Sequence, residues 1–342
     1  VNNSQRKNLI YSVVLILAMV VVWLIRDRKT ERPDLQKVEL AGTTMGTTYQ
    51  VKYLSDQPVD YKTQVDSLLE DFNLCLSTYI PDSEISRFNL GSTHQFERPY
   101  FYQMMQQSQQ IYQSTAGAFD PTVMPLVNAW GFGPEGQQTP GSEKVDSLLQ
   151  TVGFDKVDFN ESSVSKLNPQ TQLDFSAIAK GYAVDLVVKF LQDQGLRNIF
   201  VEIGGEISAR GVNQENKPWA IFIEKPDENN RSVQALVTLD DLSIATSGNY
   251  RNYYVKEGKK YSHTISPSTG YPVEHNLLSV SVFARECSMA DGYATAFMVM
   301  GFDKALEMTL SDDELEAYFI YSSPDGEMLT QATPGVADLI IE

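Results

Sequence analysis

NIFVEIGGEISARG, residues 198–211, carries two apolar, β-rich runs joined by a glycine pair, and it sets the reading of the fold. WAIFIEKP (219–226), VQALVTL (233–239) and LLSVSVFA (277–284) follow with the same strand character, and no helical pattern intervenes. A strand is also expected at TTYQVKYL (47–54), where Tyr49, Val51 and Tyr53 alternate. Helical spacing appears mainly in the first half. Val65, Leu68, Leu69, Phe72, Cys75 and Leu76 define one helix, and Phe101, Met104, Met105, Ser108, Ile111 and Tyr112 a second that stops by Gly117. A short helix carries Val145, Leu148 and Leu149 after the loop GFGPEGQQTPGS (131–142). Ala179 to Leu191 reads as a further helix with Ser176 as its N-cap. Others are expected from Ser288 to Met300 and from Asp303, and residues 317 to 333 read as a closing hairpin around Pro324, Asp325 and Gly326. Strands and helices do not alternate, which gives an α+β fold rather than a doubly wound parallel sheet.

The 342-residue chain is 42% hydrophobic and 21% charged, within the range of a folded enzyme. Its net charge of -17 disfavours broad attraction to nucleic acid, so an anionic ligand must be met locally. Cys75 and Cys287 stand too far apart in sequence to read as a disulfide framework or zinc site and are expected as buried thiols. Three histidines, His94, His263 and His275, without a His-Glu-x-x-His pattern argue against a His-rich transition-metal site.

LIYSVVLILAMVVVWLI (9–25) is an uncharged run near the lower length of a spanning helix. Its bulky end at Val20 to Trp23 lacks the small residues of a cleavage site, so residues 1–29 are read as an uncleaved anchor and 30–37 as a linker. Basic residues flank the run on both sides and leave its orientation open.

Five segments offer chemistry. Asp291 and Thr295 lie four residues apart, where a carboxylate and a hydroxyl can share a hard cation, although a helix acid and a satisfied hydroxyl explain that spacing more commonly. DFSAIAKGYAVD (174–185) gathers Asp174, Ser176 and Lys180 at a helix start, read either as a diphosphate cradle or as capping. His263, in a loop punctuated by Pro267, Gly270 and Pro272, is either a proton-transfer group or a structural histidine. Gly204 and Gly205, and Ser247 to Arg251, permit close backbone approach to a ligand, with strand bulges the commoner reading.

In order along residues 40 to 302, AGTTMGTTYQV, LSTYIPDSEISRFN, GAFDPTVMPLVNAWGFG, LDFSAIAKGYAVD, VEIGGEI, HTISPSTGYPV and MADGYATAFMVMG resemble the successive blocks of the ApbE family of FAD:protein FMN transferases. The resemblance implies an ApbE-like (T-fold-like) catalytic domain of mixed sheets and helices over residues 38–342. It implies FAD as substrate, contacted by Met45, Tyr79, Ala118, Phe119, Asp120, Asp174, Lys180 and Ile265. It also implies Mg²⁺ held by the Ala177 carbonyl, Asp291 and Thr295. The implied reaction is attack of a Ser or Thr hydroxyl of a target protein on the FMN phosphorus with loss of AMP, and His263 is the candidate general base. The implied targets are redox proteins such as subunits of the sodium-pumping NADH:quinone reductase. The implied location is a bacterial inner membrane with the domain on the periplasmic side. Ser266 stands where the family often has Asp or Asn, and no lipid-bearing cysteine follows the apolar run. Two other readings use the same residues: a Mg²⁺-dependent FAD pyrophosphatase yielding FMN and AMP, and a non-catalytic FAD-binding protein.

Overall fold

Eight strands form one sheet whose spatial order is also their chain order: β1 (Gln36–Thr44), β2 (Thr47–Ser55), β3 (Asn198–Ile203), β4 (Glu206–Arg210), β5 (Ser243–Gly248), β6 (Leu277–Ala284), β7 (Glu316–Ser322) and β8 (Met328–Ala332). Every neighbouring pair is antiparallel. The computed structural model describes residues 7, 11–20, 35–132, 139–227, 232–249, 253–256 and 259–341.

Between β2 and β3 the chain leaves the sheet and builds α1 (Lys62–Leu76), α2 (Glu84–Leu90), α3 (Tyr100–Ser114), α4 (Met124–Ala129), α5 (Ser142–Leu149) and α6 (Ala179–Asp193). After β6 come α7 (Cys287–Met300) and α8 (Phe302–Leu310). Period-two alternation explains how both sheet faces are buried. Ile199, Val201 and Ile203 of β3 face the helices, while Phe200 faces a three-stranded sheet of Trp219–Glu224, Val233–Leu239 and Ile340–Ile341. Both thiols are buried. The antiparallel sheet and segregated helices are the α+β arrangement expected.

α7 is buried nearly all round, in keeping with its run of small and apolar residues. Two glycines let its neighbours close in: a Cβ at Gly181 of α6 would lie 2.3 Å from the Cys287 carbonyl oxygen, and one at Gly292 would lie 2.4 Å from Ile111 Cδ1. The start of α7 is capped from outside its own helix. Asp185 of α6 accepts hydrogen bonds from the Cys287 and Ser288 amides, each 2.8 Å, meeting two N–H groups that the helix cannot satisfy. Burial raises the Asp185 pKa to about 6 even so, with those N–H groups acting against the rise.

Several expectations change. Ser176 does not cap α6. The helix begins at Ala179 after Ile178, and the Ser176 hydroxyl donates instead to Asp174 Oδ1 at 2.6 Å, a local turn that outcompetes capping. Gln36 and Lys37, assigned to the linker, open β1, because pairing with β2 overrides their weak local strand signal. The closing hairpin forms as β7 and β8, but a short helix, Pro334–Ala337, and Ile340–Ile341 continue beyond it. Most of the anchor of residues 1–29 and of the linker lies outside the described residues. Residues 11–20 are helical, and no described helix is long and apolar enough to cross a membrane.

The α6–α7 contact makes a direct prediction. Gly181→Val would force a branched side chain against a backbone carbonyl, so the midpoint of thermal unfolding should fall by about 5–10 °C. An unchanged midpoint would show that the two helices do not depend on this approach.

Candidate active site

Two hairpin turns meet at one end of the sheet. The β1–β2 turn is Met45–Gly46, with φ of 50° and 73°, the positive pair of a type I′ turn. A methionine held in the left-handed region is strained, as residues at binding sites often are. The β3–β4 turn is Gly204–Gly205, so these glycines serve a hairpin turn and not a bulge. A Cβ at Gly204 would lie 2.7 Å from Thr47 Cγ2 and 3.4 Å from Lys180 Cδ, which places the lysine stem against both turns.

A cavity of about 850 Å³ opens beside these turns, bounded by Met45, by Tyr79 in the segment after α1, and by Ser176 and Lys180 at the start of α6. That volume suits a large organic ligand. Tyr79 is 80% exposed at the rim, with a ring face available for stacking.

At the inner end, Lys180 Nζ lies 2.6 Å from Glu206 Oε1 and 3.8 Å from Asp291 Oδ1. The other Asp291 oxygen accepts the Gly181 N–H at 3.0 Å. Gly181 lies in the first turn of α6, where an amide has no carbonyl of its own helix to meet, and the aspartate supplies the acceptor. Burial raises the Asp291 pKa against the pull of Lys180, and raises that of Glu206 to about 8 despite the same ammonium. Burial opposes the charge of Lys180, yet Asp291 and Glu206 together hold its pKa above the ordinary value. One turn along α7, Thr295 Oγ1 lies 3.5 Å from Ser247 Oγ of β5.

The remaining expected residues form a second tier. Asp120 is buried and its Oδ1 accepts from the Thr122 amide at 2.8 Å and the Thr122 hydroxyl at 2.6 Å. The Asp174 amide donates to the Pro121 carbonyl at 2.8 Å, tying the Ala118–Thr122 loop to the approach to α6. Ala118 is half-buried, whereas the Phe119 ring is enclosed in the main core. Ile265 is buried in a separate small core with Leu126, Trp130 and Val145. His263, two residues earlier, is half-buried with its ring 6.3 Å from that of Phe132. The structure therefore gathers Met45, Tyr79 and Lys180 around the cavity and Asp291 beside Lys180; Ala118, Phe119, Asp120, Asp174, Ile265 and His263 lie outside the cavity lining.

Among the described residues no three His, Cys, Asp or Glu side chains gather as a metal centre. A cation beside Asp291 must then draw on hydroxyl and carbonyl oxygens, ligands suited to a hard ion. Sequence reasoning missed Glu206, whose block was read for its glycines alone, and Asp185, whose capping of α7 spans about a hundred residues and leaves no local signal.

Comparison with known proteins agrees with this geometry. The model of the ApbE family matches residues 45–319. A Vibrio cholerae protein named FAD:protein FMN transferase is 40% identical over 307 residues, covering 86% of this chain and 90% of its own length. The protein of the same name from Haemophilus influenzae is 38% identical over 329 residues, covering 91% and 94%. Among solved structures, the flavin transferase ApbE from Vibrio cholerae superposes with a TM-score of 0.80 at 39% identity, over 89% of this chain and 99% of that one. The apo form of the Pseudomonas stutzeri flavinyl transferase ApbE also gives 0.80, at 34% identity and 89% and 97% coverage.

The buried Asp120 sets a pH dependence. Burial raises its folded pKa to about 6, against hydrogen bonds from Thr122, while the unfolded chain keeps the ordinary value near 3.8. The folded state thus holds the proton more tightly, and stability is lost as pH rises from about 4 through about 6, by up to about 3 kcal/mol. Asp120→Asn keeps both acceptor bonds and removes the titration. The difference in unfolding free energy, variant minus parent, should grow by that amount between pH 4 and pH 7; a difference flat with pH would contradict the assignment.

Proposed function

The chain belongs to the ApbE family, and on that footing we propose that it transfers FMN from FAD to a Ser or Thr hydroxyl of another protein and releases AMP. The observation that carries this reading is the cavity lined by the exposed aromatic ring of Tyr79 and by Lys180, whose ammonium lies 3.8 Å from the buried Asp291 carboxylate. Such a site offers stacking to a flavin and charge to a diphosphate. In the transfer, the hydroxyl oxygen forms a bond to the FMN phosphorus, the bond from phosphorus to the AMP oxygen breaks, and the hydroxyl proton passes to a base, for which His263 is the candidate.

The residues present fit a magnesium ion. Asp291, Thr295 and the Ala177 carbonyl are all oxygen donors, and the Asp291 oxygen not held by the Gly181 amide lies 3.8 Å from Lys180, beyond hydrogen-bond contact. Magnesium held there would neutralise diphosphate charge and stabilise the departing oxygen. Lys180 supplies a further positive charge. Met45 and Tyr79 would position the flavin ring, and Asp120 and Asp174 would border the ligand through the loops that they fasten.

In this reading the apolar run in residues 1–29 is a single-pass inner-membrane anchor that holds the domain on the periplasmic side, and the acceptors are membrane-bound electron-transfer proteins such as the sodium-pumping NADH:quinone reductase. The described helix at residues 11–20 supports the helical part of that assignment.

The test is incubation with FAD, Mg²⁺ and an acceptor domain, with and without chelator, followed by mass spectrometry of the acceptor. The acceptor should gain one FMN only when metal is present, and Asp291→Ala should slow transfer by roughly a hundredfold or more. Free FMN without acceptor labelling would identify a pyrophosphatase, and persistent FAD a binding protein. His263→Ala should lower the rate by about a hundredfold near neutral pH. Full transfer by that variant across the neutral range would remove His263 from the mechanism.

A further inference from the structure

Lys180 stands between two carboxylates, and it does not stand midway. Its ammonium is in charge-assisted hydrogen-bond contact with Glu206 at 2.6 Å, while Asp291 Oδ1 at 3.8 Å is beyond that contact. We propose that Glu206 is a positioning residue: it holds the Lys180 ammonium off Asp291 and so keeps Asp291 Oδ1 open to the divalent cation. The inference rests on the metal-assisted reading given above.

Glu206 is well placed for this task. It is the first residue of β4, its backbone is fixed by pairing with Ile203 across the Gly204–Gly205 turn, and 3% of its surface is exposed. Its second oxygen, Oε2, is buried with no hydrogen-bond partner among the described residues. A buried carboxylate with an idle oxygen lowers stability, so the contact that it does make stands out as its use. Asp291 is complementary: the Gly181 N–H fixes Oδ2 and leaves Oδ1 facing the lysine.

Lysine is a mobile point charge on a flexible stem, and it follows the nearest available acid. Glycine at position 204 leaves the stem of Lys180 room, since even a Cβ there would only reach contact distance of its Cδ. Without the Glu206 carboxyl to hold it, the ammonium would close onto Asp291 Oδ1 and compete with the cation for that oxygen. A residue that binds no metal itself would thereby govern metal affinity, as outer partners of metal ligands commonly do.

Mn²⁺ is the probe, titrated into the full chain without FAD, with free Mn²⁺ read by electron paramagnetic resonance. Glu206→Gln should weaken binding by about tenfold or more. Adding Lys180→Gln to that variant removes the competitor and should restore affinity to within about threefold of the parent. Lys180→Gln alone should bind at least as tightly as the parent, which keeps the test sharp even where Glu206→Gln folds poorly. Unchanged affinity in Glu206→Gln, a double variant as weak as Glu206→Gln, or weaker binding in Lys180→Gln alone would each overturn the proposal. Loss of Mn²⁺ binding by the parent would strike the metal reading itself, a distinct result.

Discussion

One hydrogen bond organises the site: the Gly181 amide of α6 donates to Asp291 of α7 across a helix crossing with no room for a side chain. It fixes one oxygen of a fully enclosed carboxylate and directs the other towards Lys180. It also meets an amide of the first turn of α6, which has no acceptor within its own helix. A single contact therefore orients the one carboxylate implied as a cation ligand, and it depends on the absence of a Cβ at position 181. Asp185, one turn further along α6, ties down the first amides of α7, so the register between the two helices is held at two points.

The sheet supplies the other half of the frame. Because its antiparallel strands follow one another in chain order, every second connection falls at the same end of the sheet, and the Met45–Gly46 and Gly204–Gly205 turns become neighbours near the same lysine. The site then combines features that stability alone would disfavour: a methionine at positive φ, two buried acids sharing one base, and Asp120 buried on hydrogen bonds to its own loop. Each is intelligible as binding machinery for a charged, aromatic nucleotide.

Much of this was legible in the sequence where periodicity speaks. Val65 to Leu76, Phe101 to Tyr112 and the strands from Asn198 onward carry their burial pattern openly, and Asp291 and Thr295 share a helix face because four residues make about one turn. The pattern was silent where distance in the chain intervenes. Nothing near Cys287 announces that Asp185 caps its helix, and nothing in the spacing of Glu206 announces Lys180. Ser176 misled for a local reason, since a serine two residues after an aspartate can bond to that side chain as readily as to a helix. The family resemblance added the ligand assignments that spacing could not, and the match over residues 45–319 supports the family itself.

The central claim is that Asp291, Thr295 and the Ala177 carbonyl form one cation site at the inner end of the FAD cavity. Anomalous diffraction from crystals grown with Mn²⁺ and FAD tests it most directly. The account predicts one strong manganese peak within coordination distance of the Asp291 carboxylate and Thr295 Oγ1 and beside the diphosphate. A peak remote from these atoms, or a diphosphate bound there with no manganese, would contradict it.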